Sequence, residues 1–311
     1  MSPRDAKAGG WLSSILDAGS FAVTGEIVPP RSADPSTLIE HSRALVGYVD
    51  SVNVTDNTTA TAHMSALAGV RFAAEAGIEP TLQITRRDRN RLAITSDLLG
   101  AWALGARNLL CLSGDPVAIG DHPDATVVND LSVLDIVRLA RLMRDEGRTL
   151  GGSELADPPH YLVGVAEMPL ADPYDPARLE AKLDAGADLV FTQIAYDLER
   201  IASWAEAMRA QGVFERAKVL VGVVPLRNAA AARFLDEKLP GVRVPPTIIR
   251  ALDEAGEDAG AVAMQLTIEV VRGLHQIAGI AGVHLISLGH DDEVRAVVEG
   301  AGLFPRPIAT P

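Results

Sequence analysis

The sequence predicts a single-domain (β/α)8 TIM barrel, in which eight parallel strands alternate with helices around one closed sheet. Two observations carry this prediction. Eight short apolar runs rich in β-branched residues recur along the chain, and the segments between them repeat apolar residues three and four positions apart. Near-continuous apolar strands are typical of a parallel sheet covered on its outer face. Eight such units favour a closed barrel over the alternative, a doubly wound open sheet.

The predicted strands each end in polar or turn-forming residues, and helical patterns separate many of them. The strands are residues 21–30, 48–56, 79–88, 108–115, 160–169, 189–197, 218–226 and 283–289. The helices are residues 60–77, 91–105, 131–147, 176–186, 198–212 and 291–301. Residues 240–255 and a helix at 257–279 form a longer crossover before the last strand, and residues 148–159 form a surface loop. We expect residues 1–19 to be an N-terminal extension with a short helix, and residues 20–311 to be the barrel.

The composition limits the partners of this chain. Its 311 residues are 48% hydrophobic, enough to bury one large core. The net charge of -13 excludes a sequence-wide attraction to nucleic acid or to an anionic membrane surface. A single cysteine, Cys111, excludes an internal disulfide and fits a reducing compartment. Neither a signal-peptide core nor an apolar stretch long enough to span a membrane occurs, so we expect a cytoplasmic protein.

Common cofactor motifs are missing from the sequence. It contains no Walker A sequence, no G-x-G-x-x-G fingerprint and no pair of histidines four residues apart. His122 and Asp124 form too sparse a set for a metal site. We therefore expect no catalytic metal and no P-loop or Rossmann nucleotide site.

Polar residues at the predicted strand ends are the candidates for chemistry, because the strand C-termini of a barrel converge on one face. These residues are Glu26, Thr55, Asp56, Arg86, Arg87, Asp88, Asp115, Glu167, Gln193 and Tyr196.

Glu26 stands inside an apolar strand, where loss of solvation favours a protonated carboxyl that can act as a general acid. The alternative is a carboxylate that forms an ion pair within the barrel. Asp115 follows the fourth strand and is either a site residue or a turn and capping aspartate. Gln193 suits a flat heterocycle with amide edges, or else lines the barrel through a hydrogen bond. The arginines of RRDRNR (86–91) either hold anions at the mouth or form a solvated helix start.

The strand ends resemble those of methylenetetrahydrofolate reductases. The resemblance runs from about residue 20 to 305 and follows the order and spacing of six short motifs. They are TGEIVPPR (24–31), SVNVTDN (51–57), LQITRRDRNR (82–91), LCLSGDP (110–116), LEAKLDAGADLVFTQIAYD (179–197) and GVVPLRN (222–228). The family is a (β/α)8 barrel that binds flavin, usually FAD, and uses reduced nicotinamide to convert 5,10-methylenetetrahydrofolate into 5-methyltetrahydrofolate.

The resemblance implies roles for particular residues. Glu26 corresponds to the general acid that opens the five-membered ring of the folate, and Asp115 to a catalytic aspartate near flavin and pterin. Gln193 corresponds to a folate-binding glutamine. Tyr196, because of its place at the end of the same strand, is expected to be a further substrate contact. The positions that correspond to flavin contacts are Thr55, Gln83, Gly114, Asp115, Ala166, Asp175 and Lys182.

Several of these positions depart from the family pattern. Gln83 stands where a histidine is common, and Ser113 where many members have an arginine before the glycine–aspartate pair. Ala166 replaces an aromatic residue, and Ala181 replaces a second cation before Lys182. These changes affect flavin contacts more than folate contacts.

The resemblance thus implies a flavin-dependent methylenetetrahydrofolate reductase with NAD(P)H as the hydride donor and FAD, FMN or no flavin bound. One alternative keeps the substrate and passes hydride directly from NAD(P)H to the folate. A second is a tetrahydrofolate-binding methyltransferase barrel, and a third is a non-catalytic barrel that serves as a subunit of a redox complex. The expected partner is a small-molecule folate, with a homo-oligomer or a redox-partner subunit as a further possibility, and no nucleic acid or membrane.

Overall fold

The structure, a computed structural model, describes residues 9–307. Its eight strands are β1 (Ala22–Ile27), β2 (Ser51–Val54), β3 (Pro80–Thr85), β4 (Asn108–Leu112), β5 (Leu162–Glu167), β6 (Leu189–Ile194), β7 (Lys218–Val223) and β8 (Ile280–Leu285). Each strand pairs in parallel with its sequence neighbour, and β1 pairs with β8 to close the sheet. The predicted (β/α)8 barrel is therefore confirmed, and the open doubly wound sheet is excluded.

Helices surround the barrel on its outside, except the first, which lies at its N-terminal end. They are α1 (Trp11–Asp17), α2 (Ser36–Leu45), α3 (Ala66–Glu75), α4 (Arg91–Ala103), α5 (Val133–Glu146), α6 (Pro176–Ala185), α7 (Leu198–Ala210), α8 (Val213–Arg216), α9 (Ala229–Lys238), α10 (Pro246–Glu254), α11 (Ala259–Gln276) and α12 (Asp291–Gly300). The long crossover predicted before the last strand consists of α10, a short 3-10 turn and α11. No helix among residues 9–307 combines the length and the apolar character needed to cross a bilayer.

The helix predicted over residues 60–77 is shorter than expected, because α3 begins only at Ala66. Asn57, Thr59 and Ala60 have φ angles of 50°, 53° and 54°. These left-handed conformations interrupt a helix, and the side chain of Ser65 then caps the first turn of α3. The segment after β2 is consequently a loop at the barrel mouth.

The N-terminal end of the barrel is closed by α1. Leu12, Ile15 and Leu16 of this helix pack with Leu110 and Phe191 in a small apolar cluster inside the strands. Helix α1 lies within the predicted extension 1–19, and the part of that prediction that concerns residues 1–8 falls outside the described residues. Because α1 plugs one end, access to the interior is from the C-terminal ends of the strands.

The larger apolar core lies between the strands and the outer helices. Cys111 belongs to this layer, and burial raises the pKa of its thiol to about 12. The thiol therefore stays protonated at neutral pH and acts as a small core residue.

Candidate active site

Glu26 lies at the centre of the mouth, on β1. Its Oε2 accepts a hydrogen bond of 3.0 Å from Nε2 of Gln83, which is on β3. Since β1 and β3 are not neighbours in the sheet, this bond crosses the barrel interior above β2. The Glu26 side chain remains 19% exposed, so a ligand can reach it.

His284 on β8 completes the surroundings of this carboxyl. Its Nε2 lies 3.6 Å from Oε2 of Glu26, and its Nδ1 lies 2.9 Å from Oγ1 of Thr24. The edge of the ring also meets Phe191, with ring centroids 5.3 Å apart. The sequence analysis missed His284, although a histidine within the apolar run VHLISLG was the available signal.

Two buried polar side chains of the second strand region lie beside Glu26. Asn53 pairs with Glu26 in the β1–β2 register and is fully buried. Neither its amide nitrogen nor its amide oxygen has a hydrogen-bond partner within residues 9–307, and the same holds for the hydroxyl of Thr55. Thr55, a predicted flavin contact, thus keeps its hydrogen-bonding capacity for another molecule.

Asp115 lies exposed at the rim, where it joins two loops of the mouth. Its carboxylate accepts the backbone N–H of Thr59 at 2.7 Å, and its carbonyl oxygen accepts Nη1 of Arg87 at 2.9 Å. Gly114, just before it, has a φ of 81°, and a Cβ there would lie 3.1 Å from Cβ of Arg87. The chain therefore needs glycine at 114 to present Asp115 in this place.

The arginine cluster after β3 divides in two: Arg91 at the start of α4 is exposed and pairs with Asp130, whereas Arg87 and Arg89 are held within the protein. Arg87 donates to both oxygens of Asp88, and Arg89 donates to both oxygens of Asp56. Arg87 is only 5% exposed. Both expectations for these two arginines are therefore wrong: tertiary contacts make them internal supports of the β2, β3 and β4 loops.

A large pocket of about 930 Å³ opens beside the mouth, between the ends of β4 and β5 and helices α5 and α6. Ala166, Asp175 and Lys182, three of the predicted flavin positions, line it. Asp175 caps α6 by accepting the backbone N–H of Ala177 at 3.1 Å. Lys182 donates to Oε2 of Glu167 and to the carbonyl oxygen of Ala166, each at 2.6 Å.

The two predicted substrate residues on and after β6 differ in placement. Gln193 is half-buried, and its Nε2 donates to the carbonyl oxygen of Pro240 at 3.2 Å. Tyr196 is 2% exposed, and its hydroxyl donates to the carbonyl oxygen of Val224 at 2.8 Å. Burial raises the pKa of the Tyr196 hydroxyl. The structure therefore brings Gln83 and His284 to Glu26, and it leaves Tyr196 in the packed wall.

A smaller pocket of about 290 Å³ lies on the β1 and β8 side of Glu26. His41 from α2 and Asp291 from α12 line it and are hydrogen-bonded to each other. Leu288, in a left-handed conformation with a φ of 50°, forms part of its exposed edge. Glu26 thus faces both the main mouth and this side pocket.

Comparisons of the sequence with a family profile and with individual relatives agree on one family. The sequence profile of the family described as methylenetetrahydrofolate reductase matches residues 11–302. Methylenetetrahydrofolate reductase 1 of Schizosaccharomyces pombe is 25% identical over 243 residues, which are 75% of this chain and 37% of that protein. Methylenetetrahydrofolate reductase (NADH) 1 of Arabidopsis thaliana is 24% identical over 302 residues, 94% of this chain and 50% of that protein.

A bacterial relative has a similar length. The 5,10-methylenetetrahydrofolate reductase of Pectobacterium carotovorum is 22% identical over 299 residues, 92% of each chain. This chain spans between a third and a half of the length of several eukaryotic relatives that it matches, from 33% to 50%. A Clostridium thermocellum protein, described as binding two copies of 5-methyl-5,6,7,8-tetrahydrofolic acid, has a similar fold. Its TM-score is 0.59 at 12% identity, covering 94% of this chain and 98% of that one.

Proposed function

The chain belongs to the methylenetetrahydrofolate reductase family, and from that premise we propose that it reduces 5,10-methylenetetrahydrofolate to 5-methyltetrahydrofolate with NAD(P)H as the hydride donor. The observation that carries the proposal is the placement of Glu26. Its carboxyl lies at the barrel mouth, partly exposed, with one oxygen bonded to Gln83. A carboxyl held in this way suits proton transfer to a bound ligand.

In the proposed reaction, Glu26 gives its proton to a nitrogen of the five-membered ring of the folate. The bond between this nitrogen and the one-carbon unit breaks, and the carbon, now part of an iminium, accepts hydride. The carboxylate that Glu26 becomes is stabilised by the amide of Gln83. Asp115 at the rim and Gln193 near the end of β6 supply a carboxylate and an amide for the pterin.

We include flavin in the proposal because the residues beside the mouth fit it. The large pocket of about 930 Å³ has room for a nucleotide, and Asp175 and Lys182 line it; we assign Asp175 to the ribityl hydroxyls and Lys182 to the phosphate. The hydroxyl of Thr55, without a partner in the described part of the chain, supports a contact near the flavin ring. When bound, flavin supplies hydride transfer between nicotinamide and folate.

A second candidate passes hydride directly from NAD(P)H to the folate, without flavin. Two contacts favour it. Lys182 is already paired with Glu167, and Gln83, another position that the resemblance assigns to flavin, donates to Glu26. Both groups are thus engaged within the protein.

Spectroscopy and turnover of the purified full-length chain test these proposals. We expect oxidation of NADH or NADPH that requires methylenetetrahydrofolate and yields 5-methyltetrahydrofolate. A visible flavin band that NAD(P)H bleaches and the folate restores would support the flavin-dependent route. Turnover by protein stripped of flavin would support the direct route, and no folate reduction under either condition would overturn the function.

A further inference from the structure

We propose that Gln83 and His284 are the positioning residues of Glu26, and that they make Oε1 the oxygen that carries the proton to the substrate. The inference deepens the proposed function and rests on it. It concerns the two groups that meet Oε2 of Glu26 from β3 and β8.

Both groups approach the same carboxyl oxygen. Nε2 of Gln83 is 3.0 Å from Oε2, and Nε2 of His284 is 3.6 Å from it. The Gln83 amide nitrogen can donate hydrogen bonds but cannot accept one. A proton on Oε2 would therefore point at the hydrogens of that amide and be repelled by them. The proton of the neutral carboxyl is therefore favoured on Oε1, which leaves Oε2 as an acceptor.

Thr24 decides which nitrogen of His284 faces Glu26 as a donor. The Thr24 hydroxyl lies 2.9 Å from Nδ1, and we assign it as the donor of that bond. The neutral imidazole then carries its hydrogen on Nε2, directed at Oε2 of Glu26. The edge contact with Phe191 restrains the ring in this orientation.

The other groups that face Glu26 do not compete for Oε2. The amide of Asn53, its partner across the β1–β2 register, makes no hydrogen bond to Glu26 or to any other group within residues 9–307. His41 and Asp291 line the side pocket from α2 and α12, and they are bonded to each other. Oε2 of Glu26 thus accepts one hydrogen bond, from Gln83, and has Nε2 of His284 3.6 Å away, close enough to approach as the carboxylate forms and its proton leaves.

A matched pair of substitutions at His284 tests this arrangement. In H284Q the amide nitrogen reaches the place of Nε2, whereas in H284N it reaches only the place of Nδ1 beside Thr24. We expect H284N to lower kcat for folate reduction by about tenfold and to move the loss of activity at high pH upward by about one pH unit. We expect H284Q to retain most of the wild-type rate and profile.

The direction of the pH shift expected for H284N follows from the role of Glu26 as an acid. Glu26 must be protonated to act, so activity falls as pH rises, and losing a donor to its carboxylate moves this fall to higher pH. The control is H275N, the same exchange at a histidine of α11 that stacks on Phe21. It should leave the pH profile unchanged.

Failure of the proposed function and failure of the proposed role of His284 would give different results. A wild-type chain that does not reduce methylenetetrahydrofolate would refute the proposed function. An active wild type with an H284N variant of unchanged rate and pH profile would overturn the inference alone, as would equal losses in H284N and H284Q at equal melting temperature. If H284N does not fold, Q83L carries the test, because it removes the 3.0 Å donor from the same oxygen and should shift the profile in the same direction.

Discussion

Lys182 and Glu167 form an ion pair of 2.6 Å in the wall of the large pocket. Both side chains are largely buried, and Lys182 also donates to the carbonyl oxygen of Ala166. The charge that the resemblance assigns to a cofactor phosphate is therefore neutralised within the protein. A phosphate that binds here has to compete with the Glu167 carboxylate.

This competition predicts the effect of E167Q on nucleotide affinity. Removing the carboxylate frees the charge of Lys182, so we expect FAD to bind several-fold more tightly, and K182M to bind it more weakly. Equilibrium titration of FAD fluorescence measures both. Equal affinities in the wild type and the two variants would show that Lys182 does not meet the phosphate.

The role of Glu26 predicts a selective loss in E26Q. An amide cannot supply the proton, so we expect folate reduction to fall by about 10² to 10⁴-fold while nicotinamide binding persists. Steady-state turnover and nucleotide titration measure the two properties. Glu75→Gln is the matched control, because Glu75 forms an exposed ion pair with Arg71 on α3. Unimpaired folate turnover in E26Q would end the proton-donor hypothesis.

Gly114 links backbone conformation to the position of Asp115. In G114A the left-handed φ of 81° is strained, and the new Cβ meets Cβ of both Arg87 and Thr85 at 3.1 and 3.2 Å. We expect a loss of about 1–3 kcal/mol of stability and a higher KM for the folate.

The control for this change is Gly212→Ala. Gly212 has a similar φ of 72° and no neighbour closer than 3.8 Å, and it lies between α7 and α8. We expect Gly212→Ala to lose stability only because of its strained φ angle, and to keep the wild-type KM for the folate. Thermal unfolding and substrate titration of both variants distinguish strain from displacement of Asp115, and a KM that rises equally in both would contradict the proposed link.

The buried carboxyl of Glu79 is expected to make the stability of the fold depend on pH. Its carboxylate accepts the backbone N–H groups of Trp11 and Leu12 and the amide of Asn108, which fastens α1 beneath the barrel. Burial is the largest influence on this group and raises its pKa above the ordinary 4.5, against the lowering effect of these hydrogen bonds. The folded state therefore binds the proton more tightly than the unfolded state does.

The raised pKa of Glu79 determines the direction in which stability changes with pH. A raised carboxyl pKa contributes stability that is fully present below the unfolded pKa and is lost as pH rises through the folded pKa. We expect the free energy of unfolding of the wild type, relative to E79Q, to fall as pH rises above about 4.5. Denaturant unfolding of both proteins across this range measures it, and a constant difference would contradict the linkage.

The strand pattern was well predicted because it is local. Apolar runs and helical spacing identified all eight strands, and the described residues confirm a barrel closed between β1 and β8. The position of Glu26 within the first strand followed from the same pattern. The start of α3 did not, because left-handed conformations at Asn57, Thr59 and Ala60 depend on contacts with the loop after β4.

The amino-acid sequence by itself determined the barrel, the family and the set of polar residues carried to the mouth, since alternation of strands and helices and short motifs are readable along the chain. Only the tertiary structure decided how those residues are paired. Gln83 meets Glu26 across the interior, His284 meets it from the neighbouring strand β8, Lys182 meets Glu167, and Tyr196 turns into the wall. Such partners are set by closure and register of the sheet, which bring His284 beside Glu26 and beside Thr24, 260 positions away along the chain.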